Sequence, residues 1–206
     1  MARSGSSNRW LERHKRDRFV KERETQGYRS RAAFKLRELA ARDRLITTGA
    51  RVLDLGASPG GWTQVACELA GPRGMVVAVD VLPMVALGGA HVVRGDCRDA
   101  LTLAAIAELL KPGSVDLVMS DMAPNMTGVA AIDEARMSEL TDTALECAAV
   151  FLRPGGALLL KLFQFADTQL FLARLQQRFG QLEKRKPGAS RSRSREFYVV
   201  AKQYGI

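Results

Sequence analysis

From Gly49 onward, short apolar runs alternate with longer segments whose apolar residues recur at helical spacing. Near-continuous apolar runs of this length suit strands buried on both faces, and their alternation with helices predicts an α/β domain with a parallel sheet. Strands are predicted at 51–55, 75–80, 91–94, 115–120 and 156–162, and helices at 61–70, 99–110, 133–152 and 167–179. Pro154, Gly155 and Gly156 mark the turn into the fifth strand. Two further strands, 182–186 and 197–201, flank the loop KPGASRSRS and predict a closing hairpin. Upstream, Ala33, Leu36, Leu39 and Ala40 predict an amphipathic helix over 30–45, with Ser30 as N-cap and with Arg31, Lys35 and Arg42 on its other faces. Residues 1–27 are polar and charged and read as a mobile basic arm with room for one helix. Residues 28–206 then form the folded domain.

Composition narrows the class. A chain of 206 residues with 47% hydrophobic content fits one domain with a full core. No run approaches the ~18 apolar residues of a membrane span, and MARSGSSNRW lacks a signal-peptide core, so a cytoplasmic protein is expected. Three dispersed cysteines and two histidines give no basis for a disulfide or a metal site. The net charge of +9 is unevenly distributed. Residues 1–44 carry 14 Lys/Arg against 6 Asp/Glu (+8), residues 45–177 carry 9 against 14 (−5), and residues 178–206 carry 8 against 2 (+6). An acidic body with two basic ends is the pattern expected of a domain whose ends attract phosphates, although such ends are also common as solvated tails.

The segment LDLGASPGGW, residues 53–62, joins the first strand to a helix, so its glycines fall where the backbone turns tightly and approaches a ligand. Ser58 stands where a dinucleotide fingerprint needs its second glycine, and the P-loop Lys-Ser/Thr pair is missing. Asp54, Asp80, Asp96 and Asp121 each close a predicted strand, and in an open α/β sheet those ends converge on the ligand crevice. Together these features look like the S-adenosylmethionine site of a Rossmann-like methyltransferase. Asp80, 24 residues after Gly56, is placed to accept both ribose hydroxyls, and Asp96 to accept from the adenine amino group. Gly56, Ser58, Pro59, Gly60 and Gly61 form the turn; Gly60 and Gly61 admit the methionine end, Trp62 packs beside it, and Asp54 acts through the turn or the cofactor's ammonium. Each aspartate has a plainer reading as a turn or N-cap residue.

With YRSRAAFKL at 28–36, SDMAPN at 120–125, LLLKLF at 158–163 and SRSREFYVVA at 192–201 set beside the glycine turn, the chain closely resembles the FtsJ family of RNA ribose 2′-O-methyltransferases, in its bacterial ribosomal RNA (RlmE-type) branch. The resemblance implies a seven-stranded, mostly parallel sheet with helices on both faces, S-adenosyl-L-methionine as cofactor, and a catalytic Lys-Asp-Lys-Glu set matched by Lys35, Asp121, Lys161 and Glu196. It also implies a uridine of 23S ribosomal RNA in the large subunit as target. The chemistry is consistent with that set: a ribose hydroxyl is a poor nucleophile, so the site must remove its proton or align a lone pair with the sulfonium methyl. Lys161, after the apolar run 157–160, is the candidate base, with its basicity tuned by burial and by the charge of Lys35. Asp121 would orient Lys161, and Glu196 would anchor Lys35 or the hydroxyl. Singly, each has a surface or snorkelling alternative.

Other activities fit these residues less well. SDMAPN resembles the D-P-P-Y loop of amino-group methyltransferases, but Asn125 stands at the stacking position and Lys161 would have no task. A uridine C5 enzyme needs a cysteine in a loop near the target, and an NAD dehydrogenase needs the other glycine pattern. A non-enzymatic RNA-binding assembly factor remains an alternative, as does transfer RNA as substrate; a messenger-cap enzyme would need paired aromatics that the arm lacks. Phosphate contacts are expected from Arg9, Arg13, Lys15, Arg16, Arg18, Lys21, Arg23, Arg29 and Arg31 and from the tail at 184–186 and 191–195. A monomer is expected.

Overall fold

The computed structural model describes residues 18–165, 168–190 and 194–205. Seven strands form one sheet: β1 (Arg51–Leu55), β2 (Met75–Asp80), β3 (Ala90–Arg94), β4 (Val115–Ser120), β5 (Leu152–Phe163), β6 (Phe179–Arg185) and β7 (Glu196–Tyr204). Their order is β3-β2-β1-β4-β5-β7-β6. The first five run parallel, and β7 lies antiparallel to both β5 and β6. Among the described residues the helices are α1 (Arg18–Gln26), α2 (Ala32–Asp43), α3 (Gly61–Ala70), α4 (Ala100–Leu109), α5 (Ala130–Phe151) and α6 (Thr168–Gln176).

Because side chains alternate across a strand, each strand feeds two cores. Val52, Leu117, Leu159, Tyr198 and Val200 meet α2 and α3 on one face. Leu53, Val118, Leu158, Leu160 and Val199 meet Ile106 of α4, Leu145 of α5 and Phe171 of α6 on the other. Since β1 pairs with both β2 and β4, the connections leave in opposite directions there, and a crevice opens beyond Leu55 and Ser120.

Three local expectations are corrected. Ser30 does not cap α2: Arg31 holds the N-cap position without a side-chain cap, and the Ser30 hydroxyl packs against Gly61 instead. Lys35 lies on the buried side of α2 with Leu36 and Leu39, because its ammonium finds partners inside the domain. The fifth strand begins early: Leu152 pairs with Val115, the chain bulges through Arg153–Gly156 with Gly155 at φ 77°, and Ala157 resumes register opposite Leu117. Phe19 of α1 packs against Phe34 of α2, with ring centroids 5.5 Å apart and the rings tilted by 43°. The expected contacts of residues 1–17 and 191–193, and of the side chains of Arg18 and Lys21, lie outside what is described. Among the described residues, no helix is long and apolar enough to cross a membrane.

Candidate active site

The turn after β1 is built by the backbone needs of its glycines and by Asp80. Gly56 and Gly60 have φ of 71° and 108°, in the region that side chains disfavour. A Cβ on Gly56 would meet the Met122 side chain at 2.3 Å, and one on Gly61 would meet the Ser30 hydroxyl at 2.1 Å, so both positions also lack room. The Asp80 carboxylate accepts the Ser58 N–H at 2.8 Å and the Leu82 N–H at 2.8 Å, tying the ends of β1 and β2 together. A cleft of about 650 Å³ opens in front of Gly56, Ser58, Asp80, Asp96 and Asp121. That volume is typical of a site for a nucleoside-sized ligand, for which pockets run roughly 300–1,000 Å³. Asp96 lines it with its carboxylate paired to Arg98 at 2.6 Å; those hydrogen bonds hold the Asp96 carboxyl below the ordinary carboxylate range.

Two residues expected at the cofactor, Trp62 and Asp54, are buried. Trp62 is buried under the cleft, its indole N–H donating to the Ala32 carbonyl at 2.9 Å and its ring 5.8 Å from that of Tyr198, because α3 uses it to seat α2. Trp62 is 3% exposed. Asp54 is also enclosed, 1% exposed, and accepts the Thr63 hydroxyl at 2.7 Å. Burial, outweighing that hydrogen bond, pushes its carboxyl up to about 7, and the charges of Asp121 and Asp80 add to the rise. Enclosed in this way, Asp54 ties the end of β1 to α3 beneath the turn. Cys97, one of three free thiols, lines the cleft beside Asp96, a position that nothing in its spacing signalled.

Asp121 joins this cleft to a second cluster. Register sets the geometry: Lys161 on β5 lies opposite Tyr198 on β7, and Glu196, two residues before Tyr198, shares its face. That face is covered by α2, which delivers Lys35. Lys35 Nζ donates to Glu196 Oε1 at 2.7 Å and to the Tyr198 hydroxyl at 2.9 Å. The Tyr198 hydroxyl donates in turn to Asp121 Oδ1 at 2.7 Å, and Lys161 Nζ pairs with that same oxygen at 3.2 Å while donating to the Asp121 carbonyl. All four residues singled out from the sequence are thus linked, and Tyr198 is the bridge. The sequence did not single it out, although the spacing of two from Glu196 puts both side chains on one face of a strand.

The electrostatics follow from burial. Both lysines are nearly enclosed, at 8% exposure for Lys35 and 6% for Lys161, while the two carboxylates keep an open edge. Burial alone would raise the Glu196 carboxyl, but the hydrogen bond and charge of Lys35 prevail and hold it below its ordinary value. Burial and the Asp121 and Glu196 charges drive the Tyr198 phenol far up, so it stays protonated and can only donate towards Asp121. Beside Glu196, a groove of about 630 Å³ runs past Lys184, Lys186, Arg195 and Phe197. Lys184 sits 4.0 Å over the Phe197 ring and bonds Gln164 at 3.1 Å, while Lys186 donates to the Ser194 carbonyl at 2.8 Å. Of the expected phosphate contacts, Arg185 is instead bound to Asp43 through its Nε and Nη2, and Arg31 donates to the Ala189 carbonyl at 2.5 Å.

The family model for FtsJ-like methyltransferases matches residues 28–204. The chain belongs to the FtsJ-like methyltransferase family. This FtsJ-like methyltransferase is 48% identical over 204 residues to the ribosomal RNA large subunit methyltransferase E of Alkalilimnicola ehrlichii, covering 99% of this chain and 98% of that one. It is 50% identical over 201 residues to the protein of that name from Acidithiobacillus ferrooxidans, covering 98% of this chain and 91% of the other. Among solved structures, a ribosomal RNA methyltransferase from Plasmodium falciparum superposes with a TM-score of 0.76 at 24% identity, over 86% of this chain and 98% of that one. Aeropyrum pernix fibrillarin, solved with natively bound S-adenosyl-L-methionine, gives 0.56 at 18% identity over 82% and 76% of the two chains. At those identities, the two structures speak for the fold alone.

Proposed function

We propose that this methyltransferase transfers a methyl group from S-adenosyl-L-methionine to the 2′-hydroxyl of a uridine ribose in 23S RNA of the large ribosomal subunit, acting as a cytoplasmic monomer. The single observation that carries the reading is the junction at Asp121, where a nucleoside-sized cleft meets a network of two buried lysines and two carboxylates. The donor set fits the cofactor: Asp80 and Asp96 at neighbouring strand ends can accept from ribose hydroxyls and an amino group, and Gly56 leaves backbone exposed to the cleft. When bound, the cofactor supplies an electrophilic methyl group.

The protein's own residues then do three things. Asp121 holds Lys161 through its carbonyl and its Oδ1. An amine held by two donated hydrogen bonds keeps its third position for the ribose hydroxyl, which it deprotonates or orients. Lys35, fixed by Glu196 and Tyr198, keeps positive charge beside the oxygen as charge develops there. The groove past Lys184 and Lys186 and the arm supply phosphate contacts that position the strand. Relatives named as ribosomal RNA large subunit methyltransferases support that substrate class.

Incubation with tritiated cofactor and separate pools of large subunits, small subunits, free ribosomal RNA and transfer RNA tests the substrate. Label is expected in the large subunit. Label in transfer RNA would redirect the assignment, and RNA binding without label in any pool would favour an assembly factor.

A further inference from the structure

Nine residues, Val81–Gly89, connect β2 to β3 without regular structure, and Val81, Leu82 and Val85 expose most of their apolar surface. Val81 and Leu82 line the cleft next to Asp80, and Met84 stands over the glycine turn, its sulfur 3.1 Å from where a Gly60 Cβ would be. A connection of this kind, with few backbone bonds of its own, is a low-stability part of a fold unless something outside it holds it.

What reaches it is Arg29. From the segment before α2, its Nη1 donates to the Val85 carbonyl at 2.6 Å and, more weakly, to the Pro59 carbonyl at 3.4 Å, while its Nη2 donates to the Ala86 carbonyl at 2.7 Å. The same guanidinium lies 2.9 Å from the would-be Gly60 Cβ. The residue is itself held from below: its backbone N–H donates to Gln64 Oε1 at 2.7 Å, and Gln64 Nε2 donates to the Gly27 carbonyl at 3.1 Å. One planar fork thus joins three pieces of chain: the entry segment, the turn after β1 and the connection after β2. Only a guanidinium offers two edges of N–H groups at fixed angles, so a lysine can serve one of these carbonyls but not the set.

We propose that Arg29 is a positioning residue for the cofactor site, a clasp that holds the 81–89 connection against the glycine turn, and that it is not one of the phosphate contacts expected from the sequence. The proposal rests on the reading of the cleft as the cofactor site. It couples the start of the domain to cofactor affinity, because residues that pin Arg29 thereby fix both walls at once.

Hydrogen exchange on the ligand-free protein, read by mass spectrometry on peptides spanning 81–89, tests the clasp independently of the cofactor. In Arg29→Ala, exchange in that peptide accelerates by about tenfold or more while β1, β4 and β5 keep their protection. Calorimetry with S-adenosylhomocysteine shows Kd raised about tenfold, Arg29→Lys recovers only part of the loss, and affinity for free ribosomal RNA stays within about twofold. Unchanged exchange in the 81–89 peptide would overturn the clasp. An unchanged Kd with RNA affinity reduced about tenfold would return Arg29 to the phosphate contacts. Failure of the unmutated protein to bind S-adenosylhomocysteine would count against the reading of the cleft, and exchange would still decide the clasp.

Discussion

At the scale of single residues, one phenol organises the network. Tyr198 accepts from Lys35 and donates to Asp121, so removing its hydroxyl leaves a buried ammonium and a carboxylate each short of a partner. Hydrogen bonds to charged groups are worth about 1.5–3 kcal/mol, and each ~1.4 kcal/mol is tenfold in rate. Tyr198→Phe is therefore expected to lower kcat by roughly 10- to 100-fold, with KM for RNA little changed, because the ring still packs on Trp62. Steady-state kinetics checks this, and activity within about twofold of the parent would show that the bridge does not matter. Lys35, Asp121, Lys161 and Glu196 were legible as a set through their motifs, but Tyr198 was not, since in sequence it reads as one more apolar residue in a buried strand. Asp54 was legible as a strand-end carboxylate acting through the turn or on the cofactor's ammonium; its enclosure was not, because burial is a property of the packed domain. Its raised carboxyl also makes a pH prediction. The folded state favours the neutral acid, so the stability this group contributes is complete below its ordinary value near 3.8 and is lost as pH rises through about 7. Asp54→Asn, which keeps an acceptor for Thr63, should thus gain stability over the parent as pH increases from 4 to 7 and then level off, by at most about 4 kcal/mol. Urea unfolding at intervals across that range measures the gap; a gap independent of pH would contradict the assignment.

At the scale of elements, the turn between β1 and α3 is where sequence and structure agree most closely, because backbone conformation is set by residues next to one another. Gly56→Ala places a methyl group into Met122 at a positive φ, so a loss of about 1–3 kcal/mol of stability and weakened S-adenosylhomocysteine binding are expected together. Thermal unfolding and calorimetry on the same preparation check the pair, and unaltered affinity would detach the turn from the cofactor. The helix 30–45 was recognisable by its apolar stripe, yet its capping was not: Ser30 is drawn to Gly61, a contact between segments that no local pattern encodes. The start of β5 was displaced for a related reason. Pro154 and Gly155 do form an irregularity, but the chain on its N-terminal side still pairs with Val115, and pairing partners are non-local.

At the scale of the whole molecule, the alternation of runs was enough to anticipate five parallel strands, since parallel strands need crossovers that leave a clear helical signal, and the turn residues near the end anticipated the closing antiparallel pair. Charge partition was a coarser guide. It marked both ends as basic, but Arg29, Arg31 and Arg185 turn inward to carbonyls and to Asp43, which leaves the groove at Lys184, Lys186 and Arg195 as the described basic surface beside the network. Lys184→Ala combined with Lys186→Ala is expected to weaken binding to free ribosomal RNA and to reduce the slope of log K against log salt by roughly 1–2, which a filter-binding series across salt concentrations measures. The central claim is that the Lys35–Tyr198–Asp121–Lys161 network acts on a sugar oxygen. It is tested most directly by digesting labelled large-subunit RNA to nucleosides and identifying the methylated product formed by the parent and by Lys161→Ala. 2′-O-Methyluridine is expected from the parent and none from the variant, with S-adenosylhomocysteine affinity retained; a methylated base, or near-normal turnover by the variant, would contradict that role for the network.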